Sequence, residues 1–79
     1  MTEYESKIYR TLYLRRNRNS NEVIITAEAI ATLLKESNLN KVKRTLGSLE
    51  RKNYISQTKI KGRLIRNSYK LHKTNVIYI

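Results

Sequence analysis

"NLNKVKRTLGSLERKNYI", residues 38–55, decides how the chain is read. Val42, Leu46 and Leu49 recur at the i, i+4, i+7 spacing of one narrow helical stripe, which must face a core. Asn40, Arg44, Gly47, Ser48 and Arg51 fall on the opposite side of the same wheel, with Lys41 and Lys43 flanking them. The pattern predicts a helix over 41–52, with Asn40 as its N-cap and Asn53 as the left-handed residue that ends it. The outward face thus joins cations, hydrogen-bonding groups and one residue without a side chain. Such a face suits a polyanion: Arg pairs with guanine edges, Asn with adenine edges, and Lys neutralises phosphate. Gly47 lowers helix stability by about 1 kcal/mol relative to Ala. Because it faces outward, close approach of a backbone or base edge explains it better than internal packing.

Working outward, Tyr4, Ile8 and Leu12 recur every four residues, widened by Tyr9, Tyr13 and Leu14, and predict a first helix over about 2–16. Glu3 and Glu5 in its first turn and Arg15 and Arg16 in its last suit the helix dipole. "NRNSN" (17–21) stops it, and the β-branched "EVIIT" (22–26) reads as a short edge strand. Thr26 can cap a second helix, "AEAIATLLKE" (27–36), whose apolar face is Ala29, Ile30, Leu33 and Leu34. Beyond the third helix, "YISQTKI" and "SYKLHK" alternate as strands of a hairpin spanning 54–73, joined by a basic loop "KGRLIRN" (61–67). The terminal "VIYI" (76–79) is short enough to add a strand, cover the core or meet a second subunit. The whole, 1–79, is expected to be one α+β domain of three helices and a small antiparallel sheet, with a tail at 74–79.

A chain of 79 residues buries only about 60% of its unfolded surface, so its core is small. It has no Cys, which excludes disulfides and thiolate metal sites. "MTEYESKIYR" is polar and carries acids, which reads against a signal peptide, and no apolar run approaches the length of a membrane span. Seventeen Lys and Arg against six Asp and Glu give a formal charge of +11. Residues 1–40 hold six cations and five acids, whereas 41–73 hold eleven cations and one acid, Glu50. Solubility needs no such asymmetry; a polyanionic partner does. "RRNRN" (15–19) either adds phosphate contacts or is a helix end running into a solvated loop. His72 stands alone, with no Cys or carboxylate at metal spacing. No metal, cofactor, small-molecule ligand or catalytic constellation is expected.

The second and third helices, the short "SNLN" turn, and the ending "SLERKNYI" look like a winged helix-turn-helix DNA-binding domain. In that family the second helix of the pair ends in a pattern of the form L-x-x-L-x-x-x-G-x-I; here Leu46, Leu49 and Ile55 match, and Asn53 replaces the glycine. Asn tolerates the same backbone region, so the departure is mild. "GRLIRNSYKL" (62–71) is similar to the wing, with Tyr69 and Leu71 at the places of its aromatic-x-aliphatic strand. The resemblance spans about residues 22–72, and small regulators of archaeal viruses and plasmids are similar compact versions.

The resemblance implies a third helix that enters the major groove of double-stranded DNA, with Asn40, Lys41, Arg44 and Ser48 at bases and Lys43 and Arg51 at phosphates. It implies that Lys59, Lys61, Arg63 and Arg66 of the wing touch the backbone or an adjacent minor groove. The function so implied is transcription regulation by operator occupancy, in the cytoplasm and on the nucleoid of a host cell. Alternatives are binding to a replication origin or partition site, a DNA-packaging protein blind to sequence, and a winged helix that binds an acidic protein. Tyr4, Ile8, Tyr9, Leu12 and Tyr13 pack a core or form the seam of a homodimer, joined in the latter case by Val76, Ile77, Tyr78 and Ile79.

Overall fold

Each helix begins where a short polar side chain can accept an otherwise unpaired backbone N–H. The computed structural model describes residues 1–73. Thr2 caps α1 (Glu3–Arg15): its hydroxyl accepts from the Glu5 amide at 3.1 Å, while the Glu5 carboxylate accepts from the Thr2 amide at 2.6 Å. A turn held by the Asn17 side chain leads into β1 (Glu22–Ile24). Thr26 caps α2 (Ala27–Leu34), accepting from the Ala29 amide at 3.0 Å. Lys35, at φ 55°, ends α2 in the left-handed region.

The third helix, α3 (Leu39–Arg51), starts two residues earlier than the sequence suggested: Asn38, not Asn40, is the N-cap, with Oδ1 accepting from the Lys41 amide at 3.2 Å. The earlier start brings Leu39 into register with Val42, Leu46 and Leu49, so that it packs against the core. Asn53, at φ 63°, ends α3 as expected. The Tyr54 amide reaches back to the Leu49 carbonyl (2.9 Å) and the Asn53 amide to that of Glu50 (3.0 Å), the paired closure of a Schellman motif.

Two strands follow, β2 (Ile55–Ile60) and β3 (Arg63–Leu71), in an antiparallel sheet of order β1-β3-β2. The expected seven-residue loop is a two-residue turn, Lys61–Gly62, and residues 63–67 extend β3. Both turn residues have positive φ (52° and 79°), as in the type I′ turn whose twist matches the strands it joins. Between the pairs Lys59↔Leu64 and Gln57↔Tyr69 the register shifts, and Asn67 takes up a left-handed conformation (φ 61°).

The core lies between α1, α2, α3 and one face of the sheet. Ile8, Tyr9, Leu12, Ile30, Val42 and Leu49 are fully enclosed, with Val23, Leu46, Ile55 and Leu71 beside them. Tyr9 sets its ring edge-on to Tyr54 (centroids 6.0 Å apart) and donates its hydroxyl to the His72 carbonyl, fastening α1 to the end of the sheet. The expected seam of Ile8, Tyr9 and Leu12 is therefore interior to one chain, because the apolar side of α1 turns to α3 and β1. Tyr4 and Tyr13 are half-buried at its margin, and Val76, Ile77, Tyr78 and Ile79 lie outside the described residues. On α2 the buried side is Ala27, Ile30 and Ala31, and Leu33 points outward instead of into the core. Among the described residues, no helix is long and apolar enough to cross a membrane.

Candidate nucleic-acid interface

The positions of α3 that leave the core divide into two flanks and an outer edge, and the two flanks meet different neighbours. On the flank toward α1, Ser48 donates to Glu5 Oε2 at 2.5 Å and Lys52 Nζ sits 2.9–3.0 Å from both Glu5 oxygens. Glu5 is buried, and its pKa is lowered to about 2. The Ser48 hydroxyl contributes most to that shift, then the Thr2 amide and the Lys52 ammonium, against burial that works the other way. Higher on the same flank, Lys41 Nζ lies 4.2 Å above the Tyr4 ring and 3.7 Å from Glu36. Glu36 also accepts from the Asn38 amide and the Tyr4 hydroxyl, which hold its carboxyl below the usual range. Lys41 and Ser48, expected at bases, thus face the chain's own helices and carboxylates.

The outer edge carries Asn40, Arg44 and Arg51, all exposed. The far flank carries Lys43, Gly47 and Glu50, which line a cleft of about 520 Å³ with Gln57, Arg66, Asn67 and Tyr69 of the hairpin and with Ala27 and Glu28 of α2. Lys43 and Gly47 from α3 and Arg66 from β3 therefore share one surface. Lys59, Lys61 and Arg63 continue the exposed basic edge along the hairpin. Glu28 and Glu50 offset Lys43 and Arg66 within the cleft itself, so the cationic excess lies outside it, on Arg44 and Arg51 of α3 and Lys59, Lys61 and Arg63 of the hairpin.

Gly47 is not required by the fold. A Cβ built there meets only the mobile end of Arg51, Nη1, at 3.4 Å, an ordinary contact, and its backbone is helical. With no side chain there, the helix presents bare backbone to the cleft.

Gln57 was missed as a candidate. It lies on the same face of β2 as the buried Ile55, beyond the edge of the core, so its amide points into the cleft. Strand alternation from Ile55 carries that signal. Tyr69, half-buried opposite it, has its pKa raised by burial and by Glu50. Arg16, part of the "RRNRN" patch, stacks 3.7 Å from the Tyr13 ring and donates to Asn21 and to the Tyr13 carbonyl, a local brace for the turn. His72 Nε2 bonds the Ser56 hydroxyl at 2.8 Å across the sheet. Among the described residues, no group of acids, His or Cys could hold a metal ion.

No family model, curated protein or solved structure matches this chain.

Proposed function

We propose that the protein is a winged-helix, sequence-specific binder of double-stranded DNA, with α3 as recognition helix and the β2–β3 hairpin as wing. The single observation that carries this reading is the shared cleft: Lys43 and Gly47 of the helix face Arg66 of the hairpin across it. A helix with exposed cations and a β-ribbon with exposed cations on either side of one cleft suit a helix laid in a major groove with the ribbon on the phosphates beside it. In this reading Asn40 and Arg44 meet base edges, and Lys43, Arg51, Lys59, Lys61, Arg63 and Arg66 meet phosphates. The protein regulates, in this reading, by operator occupancy on the nucleoid.

Selection of duplexes from a random pool tests the proposal, followed by anisotropy titration at several salt concentrations. An enriched motif is expected, and a pool that emerges without one would contradict sequence reading and favour a packaging role. If about six phosphates are neutralised, log affinity falls against log salt with a slope of about −5. Arg44→Ala should cost roughly 1–3 kcal/mol and relax preference at one base pair, whereas Arg63→Ala should weaken all sequences alike and flatten the salt slope.

A further inference from the structure

α1 and α2 both pack on α3 and scarcely on each other, which leaves a groove between them of about 630 Å³. Leu14 and Leu33 line it at 56% and 46% exposure, more than half-open to water for the one and nearly so for the other. The half-buried Leu34 and the Tyr4 ring continue the apolar surface. Around it stand five cations, Lys7, Arg10, Arg15, Lys35 and Lys41, against one acid, Glu36, whose carboxylate is already taken by Tyr4, Asn38 and Lys41. None of the groove residues lines the cleft between α3 and the hairpin.

We propose that this groove docks an acidic amphipathic helix of a partner protein. Two parallel demands point to that occupant. The leucines call for apolar side chains at helical spacing, and the rim calls for carboxylates on the flanks of the same element. From Tyr4 to Leu14 the groove runs ten residues of α1, about 15 Å, the length of roughly three helical turns. Duplex DNA would satisfy the rim and leave both leucines wet. A second copy of a chain with charge +11 would bring cations to cations. The proposal stands apart from the DNA reading, because the two surfaces share no lining residue.

The test uses a fluorescein-labelled 14-residue peptide with leucine at i, i+3, i+7 and i+10 and glutamate or alanine elsewhere, titrated with the full chain by anisotropy. The same composition with its leucines scrambled is expected to bind at least about tenfold more weakly. Leu14→Ser/Leu33→Ser and, separately, Arg10→Glu should each weaken the amphipathic peptide by about tenfold or more, given the area and charge removed. All three positions are exposed, and an unchanged thermal melt shows that the variants fold. Equal binding of the scrambled peptide would overturn the proposal, as would indifference to the leucine substitutions. A duplex that competes for the groove, read as lost DNA affinity in Arg10→Glu together with Leu14→Ser/Leu33→Ser, would reassign the surface to nucleic acid. A dimer in sedimentation that the leucine substitutions dissolve would reassign it to a second copy.

Discussion

Gly47→Ala separates the needs of the fold from the needs of a ligand. Alanine in place of glycine inside a helix gains about 1 kcal/mol, provided that the new methyl group meets no obstacle. Here it meets only Arg51 Nη1 at 3.4 Å, the end of a flexible and exposed side chain, so the full gain should be realised. For a domain of this size 1 kcal/mol corresponds to a rise in Tm of about 4–8 °C, readable by circular dichroism. The same methyl group would project into the cleft between α3 and the hairpin. Anisotropy with a selected duplex should therefore show weaker binding by a more stable protein, on the order of 1 kcal/mol or more where a base edge or backbone approaches within van der Waals distance. A variant that is more stable and binds DNA equally well would refute the close-approach argument. One that is less stable would refute the packing argument beneath it.

Glu5→Gln removes the carboxylate shared by Thr2, Ser48 and Lys52. Because the folded pKa of Glu5, about 2, lies below its ordinary value of 4.5, its stabilisation is complete above about pH 4.5 and is lost as pH falls towards 2. Urea titrations should find the variant less stable by up to about 3 kcal/mol at pH 7, with the gap closing in that acid window; a gap independent of pH would contradict the role. Tyr9→Phe leaves the His72 carbonyl without the buried hydroxyl that donates to it, an expected loss of about 1–2 kcal/mol in the same titrations. Burial raises the Tyr9 pKa to about 12, so the advantage of the native tyrosine should hold up to about pH 10 and shrink as pH rises towards 12. Lys35→Gly relieves a left-handed lysine at φ 55° and should raise stability by about 0.5–1 kcal/mol, measured by thermal melt.

What the sequence made legible is local, and what it hid is relative. Thr26 as a cap and Asn53 as a left-handed terminus follow from side-chain chemistry within four residues, and both stand as expected. Asn38 and Asn40 offer the same capping chemistry two positions apart, and only the burial of Leu39 against the other elements chooses between them. The type I′ turn at Lys61–Gly62 lacked the Asn-Gly or Gly-Gly pair that usually signals it, so its basic neighbours read as loop. A helical wheel gives the angle of Lys41 and Ser48 from the core stripe, but both flanks of that stripe look alike until α1 lies against one of them. The same limit applies to Tyr9, whose spacing fits a core and a seam equally well.

The pinning of that flank sets which cations an anionic ligand can meet. Lys41 is held near Tyr4 and Glu36 at the start of α3, and Ser48 and Lys52 are held by Glu5 near its end. From Lys41 to Ser48 is seven residues, about 10 Å along the axis, so contacts at two heights resist a roll of the helix. Of the five cations between residues 41 and 52, two are turned to carboxylates of the chain itself, and Lys43, Arg44 and Arg51 are left to the outer edge and the cleft. A slip of one residue would rotate α3 by about 100° and exchange these sets. The roll of the helix, more than the number of its charges, therefore governs what it presents. Glu5, which lines no part of the cleft, thus bears on the proposed DNA-binding surface through the orientation it imposes on α3.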